Sequence, residues 1–366
     1  MSILKDISYM KMAYALAEKA RGRASPNPLV GAVIVKNNLI LGYGYHEGPG
    51  HPHAEAMALK RAGNQAKGST LYVTLEPCVH WGRTPPCVDG ITRSGIKKVV
   101  VSALDPNPLV YKKGIRKIKE AGINVSNGLL EDKNSSLNEA YIKYMKKKVP
   151  FVTLKAAVSL DGKMATRKFD SRWISSDKSR EYSHLLRGEH DALLVGSNTL
   201  LKDDPRLTVR HRNWKGKKIL RLILDSCLRF PLEARIISTL KKGKIIVFTT
   251  EKASKQKANS LRQKGVEIIS LASSCGRVEL KKVLAFLGER EITSLLVEGG
   301  GEVITSFIEK KLADKIFLFI SPRFIGGKDA PSLFQAESVS QLKEAYGLKK
   351  IKCFRLEEDI IMEGYF

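Results

Sequence analysis

The 366-residue chain is short of acid. It has 37 Asp and Glu against 63 Lys and Arg, a formal charge of +26. Such an imbalance suits nucleic acid, a membrane surface or small phosphorylated substrates. Aromatic residues are also sparse, at 7%. The basic clusters (Lys112-Lys113, Lys146 to Lys148, Lys215 to Lys218, Lys241 to Lys244) are short, scattered and not interleaved with aromatics. Single-strand binders need that interleaving, so the charge reads as a lysine-rich solvated surface and nucleic acid is not an expected partner. No run approaches the roughly 18 apolar residues of a membrane span, so no membrane partner is expected either. Residues 1–23 are amphipathic and do not read as a signal peptide. Cysteine is scarce and odd in number, at five. With Cys227, Cys275 and Cys353 isolated, this usage points to a reduced, cytoplasmic compartment.

The chemistry that is present concentrates between His51 and Cys87. This stretch holds His53-Ala54-Glu55, Thr74-Leu75-Glu76-Pro77-Cys78 and Thr84-Pro85-Pro86-Cys87. One imidazole and two thiols (His53, Cys78, Cys87) suffice for a zinc ion that keeps its fourth position for water. Glu55 is placed to move protons for that water rather than to bind the metal. The histidine and glutamate open an Ala/Leu-rich helix ending near Gly63. Cys78 should sit at a strand end. Cys87, after two prolines, should sit in a helix's first turn, where the dipole favours thiolate. The set matches the zinc nucleobase-deaminase signature, except that eight residues rather than two separate the cysteines. The bland alternatives are two buried free cysteines with a capping histidine, or a structural zinc. Three ligands rather than four, beside a glutamate, argue against the second.

Around this core the pattern predicts a helix over 5–20, a hairpin from 29 to 45, and strands at 70–75 and 97–103. A helix at 114–121 and a basic helix at 138–148 follow. This alternation, with the chemistry at strand ends, predicts a three-layer α/β sandwich. Val149-Pro150 marks the boundary, giving domains 1–148 and 149–366. The second half restarts with a buried strand at 151–158. Strands at 192–195, 219–224, 245–249, 266–269 and 294–297 alternate with helical stretches, and 316–321, 353–356 and 360–366 close the chain. No internal repeat appears.

The second half has its own candidates. Val297-Glu298-Gly299-Gly300-Gly301 leaves a strand and opens a helix, where backbone N–H groups can approach a phosphate. Gly196-Ser197-Asn198-Thr199 is a weaker case. Lys155, Arg187 and Arg210 are candidate phosphate ligands, though each taken singly reads more readily as a paired structural charge. Trp173 could stack on a planar ring or fill a core.

Taken together, these residues resemble the bifunctional riboflavin-biosynthesis deaminase–reductase family over nearly the full length. The amino-terminal half carries Pro26-Asn27-Pro28-x-Val30-Gly31, Glu76-Pro77-Cys78-x-His80-x-Gly82-x-Thr84-Pro85-Pro86-Cys87 and Asp105-Pro106-Asn107-Pro108. The carboxy-terminal half carries Lys155-x-Ala157-x-Ser159-Leu160-Asp161-Gly162, Ser171-x-Trp173-Ile174, Asp203-Asp204-Pro205-x-Leu207-Thr208 and Val297-Glu298-Gly299-Gly300. The resemblance implies a cytidine-deaminase-like α/β/α sandwich followed by a dihydrofolate-reductase-like α/β domain. It implies zinc-dependent deamination of 2,5-diamino-6-(5-phosphoribosylamino)pyrimidin-4(3H)-one, with Glu55 shuttling protons. Reduction of the ribosyl to a ribityl chain by NADPH follows.

By the family pattern Asn27, His46, His80, Arg83, Asp105 and Asn107 hold the deaminase substrate. Lys155, Ser171, Arg187, Leu207, Arg210 and Glu298 hold the reductase substrate. Ala157, Trp173, Thr199, Asp203, Ser226 and the turn Gly300, Gly301, Glu302, Val303, Ile304, Thr305 and Ser306 face NADPH. The expected partner is the small phosphorylated pyrimidine, with homo-oligomerisation left open. Leu109 to Lys113 departs from the family, being bulkier and more basic. A nucleic-acid deaminase would share the zinc site but leaves residues 150–366 without a role.

Overall fold

Two sheets organise the chain, each built where β-branched and leucine-rich runs alternate with helices. A computed structural model describes residues 3–82, 84–211, 214 and 216–366; the expected substrate residue Arg83 lies outside the described residues. The chain divides into two compact units, Met1–Lys148 and Val149–Phe366.

In unit 1 the strands are β1 (Gly31–Lys36), β2 (Leu39–Tyr45), β3 (Thr70–Leu75), β4 (Lys98–Ala103) and β5 (Asn124–Asn127). The helices are α1 (Ile3–Glu18), α2 (Ala54–Ala62), α3 (Cys87–Arg93), α4 (Lys113–Glu120), α5 (Glu131–Leu137) and α6 (Glu139–Lys147). The sheet runs β2-β1-β3-β4-β5, with the β1 pairings antiparallel and β3-β4-β5 parallel. Period-2 alternation sends Ala32, Ile34, Leu71, Val73, Val99 and Val101 to a core shared with α2, α3 and α4. It sends Val33, Val35, Tyr72 and Val100 to the opposite core, under α1. Three layers result, as the alternation of strands and helices requires. Glycine sets one spacing that matters for chemistry. A Cβ on Gly42 or Gly44 would meet the Ala58 or Ala54 carbonyl at 2.1 and 2.4 Å, so these glycines let α2 press onto β2.

Unit 2 contains β6 (Phe151–Ser159), α7 (Asp177–Glu189), β7 (Ala192–Gly196), α8 (Ser197–Asp203), β8 (Leu220–Leu224), β9 (Ile245–Thr249), α9 (Lys255–Gln263) and β10 (Glu267–Ser270). A short pair follows, β11 (Ser273–Ser274) and β12 (Arg277–Val278). Then come α10 (Leu280–Glu289), β13 (Ser294–Val297), α11 (Gly301–Glu309), β14 (Lys315–Ser321), β15 (Lys349–Leu356) and β16 (Asp359–Tyr365). The nine-stranded order is β10-β9-β8-β7-β13-β6-β14-β16-β15, parallel except for the β14-β16 and β16-β15 pairings. Leu186, Leu200 and Leu261 pack on one face of it, and Val283, Leu287, Ile304 and Phe307 on the other. Ligand sites in such sheets open at the carboxyl ends of the strands, next to a reversal of strand order.

Candidate active sites

In unit 1 three element ends converge. His53 caps the N-terminus of α2 in extended conformation, and Glu55 lies in the first turn. Cys78 follows β3, and Cys87 is the first residue of α3 after Pro86. His53 Nδ1 lies 3.1 Å from Cys87 Sγ and 3.5 Å from Cys78 Sγ. The three ligand atoms lie within 4.8 Å of one another. A nitrogen and two sulfurs at that spacing fit zinc and leave one tetrahedral position over. The far ring nitrogen, Nε2, meets Thr84 Oγ1 at 3.1 Å, which leaves Nδ1 as the atom facing the sulfurs. Sequence reasoning gave Thr84 no role, although it stands in the quoted motif.

Electrostatics separate the two thiols. Hydrogen bonds from the Cys87 thiol, His53 and the Cys87 N–H (3.3 Å) pull Cys78 down to about 4 against burial. Cys87 is pushed up by its hydrogen bond to Cys78 and by burial. A metal at this point would take both as thiolates. Burial pushes the Glu55 carboxyl up to about 7, with His53 pulling the other way.

Around the trio, His46 is buried, with Nε2 2.9 Å from Asn27 Nδ2 and Nδ1 3.2 Å from the Pro52 carbonyl. Its ring meets that of His53 edge-on at 5.2 Å. Asp105, just past β4, accepts from the Asn107 N–H (2.8 Å) and the Tyr141 hydroxyl (2.9 Å). Burial raises its pKa to about 6. His80 is half-buried, and its Nδ1 has no hydrogen-bond partner among the described residues.

Unit 2 holds a half-open cavity of about 1340 Å³. Lys155, Ser171, Arg187, Arg210 and Glu298 all line it. So do Ala157, Trp173, Thr199, Asp203 and Ser226, and from the glycine-rich turn Gly300, Gly301, Glu302, Val303 and Ser306. Leu207, Ile304 and Thr305 do not. Leu207 and Ile304 are core residues, and Thr305 Oγ1 accepts the Gln335 N–H at 2.8 Å. Gly300 caps α11, and nothing stands within 4 Å of where its Cβ would be. An open helix N-terminus on a large cavity fits a phosphate-bearing dinucleotide such as NADPH. Trp173 is exposed rather than in a core, with the Arg180 guanidinium 4.6 Å from its ring centre.

The Arg187 fork is occupied. Its Nε and Nη2 donate to the two Glu298 carboxylate oxygens at 2.8 and 2.6 Å. Burial would raise Glu298, but the guanidinium overcomes it and holds the carboxyl at about 2. Arg210 lies outside that pair and lines the cavity. Its N–H points to His184 Nδ1 at 3.4 Å. Lys155 places its ammonium 4.7 Å from the Phe319 ring centre, and burial lowers its pKa. His184 was not anticipated, yet it lines the cavity one turn before Arg187, and burial with Arg187 and Arg210 depresses it to about 4. The i, i+3 spacing on α7 was its only sequence signal.

Residues 4–103 match the family described as the cytidine and deoxycytidylate deaminase zinc-binding region, and residues 150–362 match the RibD C-terminal domain. The riboflavin biosynthesis protein RibD of Aquifex aeolicus (strain VF5) is 46% identical over 358 residues, covering 98% of this chain and 97% of that protein. RibD of Bacillus amyloliquefaciens is 41% identical over 352 residues, covering 96% and 94%. Among solved structures, Acinetobacter baumannii RibD (form 1) superposes with a TM-score of 0.90 at 34% identity, over 100% of this chain and 99% of that one. A diaminohydroxyphosphoribosylaminopyrimidine deaminase/5-amino-6-(5-phosphoribosylamino)uracil reductase from Thermotoga maritima gives 0.85 at 38%, covering 98% of each.

Proposed function

The chain belongs to the bifunctional riboflavin-biosynthesis deaminase–reductase family, and from that premise we propose that unit 1 houses the deaminase site and unit 2 the reductase site. The enzyme deaminates 2,5-diamino-6-(5-phosphoribosylamino)pyrimidin-4(3H)-one hydrolytically, then reduces the ribosyl to a ribityl side chain. Its cofactors are zinc and NADPH. The observation that carries the residue assignment is the His53–Cys78–Cys87 trio beside a buried carboxylate.

When bound, zinc supplies an activated water and NADPH a hydride. The protein's own residues do the rest. His53 Nδ1 and the Cys78 and Cys87 thiolates hold the metal. The Glu55 carboxylate, raised towards neutrality by burial, takes a proton from the attacking water and gives it to the ring nitrogen, then takes the proton of the hydroxyl formed on the attacked carbon and gives it to the departing amine. Asn27, His46, His80, Asp105 and Asn107 orient the pyrimidine, and Arg83 joins them by the family pattern. In unit 2 the Arg187–Glu298 pair forms a fixed wall of the cavity, so the 5'-phosphate falls chiefly to Arg210. The Lys155 ammonium is poised near the reacting sugar. Ser171 completes the substrate side. Ala157, Trp173, Thr199, Asp203, Ser226 and, from the turn, Gly300, Gly301, Glu302, Val303 and Ser306 take NADPH. No helix among the described residues is long and apolar enough to cross a membrane. The scarcity of cysteine supports a cytoplasmic setting.

The test is ammonia release from the diaminopyrimidine phosphate with NADPH oxidation followed in the same cuvette. Ammonia should appear without NADPH, and NADPH should be consumed only after it. NADPH oxidation with no ammonia released would refute the order and the unit 1 assignment.

A further inference from the structure

We propose that Glu76 is a positioning residue of the deaminase site, its carboxylate docking the segment 105–115 that carries Asp105 and Asn107. The inference rests on the deaminase reading of unit 1 and deepens it.

Glu76 lies just past β3, two residues before Cys78, and is only 3% exposed. Its carboxylate accepts three backbone N–H groups. Oε2 takes those of Asp105 (3.3 Å) and Lys112 (3.0 Å), and Oε1 takes that of Ile115 (3.1 Å). These donors come from both ends of one segment. Asp105 follows β4, Lys112 stands in left-handed conformation (φ 59°) before α4, and Ile115 is in the first turn of α4. One carboxylate therefore closes the segment and satisfies an otherwise orphaned donor of a helix N-terminus, where negative charge is favoured.

Approach from the other side is equally close. A Cβ on Gly114 would meet the Pro77 carbonyl at 2.2 Å and Glu76 Cγ at 3.0 Å. The segment thus sits directly on the backbone that leads into Cys78. Within it, Asp105 accepts the Asn107 N–H (2.8 Å), and Asn107 Oδ1 accepts the Leu109 N–H (3.1 Å). The two candidate substrate residues inherit their orientation from the docked ends. Among the described residues the Glu76 carboxylate hydrogen-bonds to backbone N–H groups of this segment and not to His53, Cys78 or Cys87, so its effect should appear in substrate binding rather than in the chemical step.

The experiment compares full-length wild type, Glu76→Gln and Gly114→Ala. The first variant sets an NH2 group against N–H donors; the second lifts the segment while keeping the carboxylate. Zinc content, deamination kinetics and amide exchange are measured, with NADPH oxidation on the deaminated intermediate in the same preparations. In both variants the deaminase KM should rise roughly 10- to 100-fold, as for a misplaced binding group, with kcat near wild type. Zinc stoichiometry and reductase kinetics should stay unchanged, and the Lys112 and Ile115 amides should exchange faster. Wild-type KM in both variants, a fall in kcat at constant KM, or loss of zinc from both would overturn the assignment. If Glu76→Gln does not fold, the same split in Gly114→Ala decides. A wild-type enzyme that releases no ammonia would remove the deaminase reading itself, and that is seen before any variant is compared.

Discussion

Arg187→Ala separates a phosphate ligand from a structural cation. In the wild type Nε and Nη2 of the guanidinium donate to Glu298 and Nη1 to the Thr208 carbonyl (3.4 Å), and the Arg187 and Glu298 side chains are only 16% and 12% exposed. Removing one partner of a buried pair costs about 3–5 kcal/mol, because the other charge is left uncompensated. A domain of this size loses ~2–4 °C of melting temperature per kcal/mol, so unit 2 should melt roughly 6–20 °C lower. The pH dependence has a definite sign. Glu298 is held at about 2, below its ordinary 4.5, so the pair's stabilisation is present above the ordinary value. It is lost as pH falls from there towards about 2. In Arg187→Ala burial acts on Glu298 with its largest opposing charge removed, so the folded-state carboxyl rises and the acid-side loss shrinks, giving way to a loss of stability as pH rises. Arg187→Lys should recover only part of the stability, since an ammonium cannot reproduce the two-armed contact. The assay is thermal inactivation of NADPH oxidation by the full-length enzyme across pH, alongside KM for phosphorylated and dephosphorylated substrates. An unchanged melting temperature with KM raised only for the phosphorylated substrate would refute this reasoning and return Arg187 to the phosphate.

Glu55→Gln should keep its zinc, because His53, Cys78 and Cys87 are untouched, and should lose deamination by ~10²–10⁴-fold. Given the deaminated intermediate, it should oxidise NADPH normally; substantial ammonia release would sink the proton-shuttle role. Cys87→Ser should lose both metal and deamination, since His53 and Cys78 alone hold the ion poorly. Near-stoichiometric zinc in a well-folded Cys87→Ser protein would remove Cys87 from the ligand set.

Most of the architecture was legible because the buried strands are short apolar runs. The strands 70–75, 245–249 and 294–297 were placed to the residue. What escaped was polar. The edge strand Asn124–Asn127 and the helix Glu131–Leu137 bury little apolar surface, so no periodicity marks them. Strand β15 begins at Lys349 rather than 353 because its first half is a lysine-bearing exposed edge. In the sites, the zinc trio was readable from residue types and spacing, since metal ligation restricts both. The engagement of Arg187 with Glu298 was not, because the two are 111 positions apart and nothing local couples them. Glu76 was quoted within a motif but given no role: its partners are backbone N–H groups, which a sequence does not display.

The placement of β13 also has a consequence for synthesis. In unit 1 each strand added after β1 joins one already made, so its sheet grows as the chain lengthens. In unit 2 the four-residue strand Ser294–Val297 separates β6 from β7, which are both translated long before it. At ~5–20 residues per second on the ribosome, the facing edges of β6 and β7 wait seconds for their shared neighbour. Throughout that interval their N–H and C=O groups are open to wrong pairing, including with each other. Val297 is thus both the last residue of the keystone strand and the point after which the reductase sheet can first close.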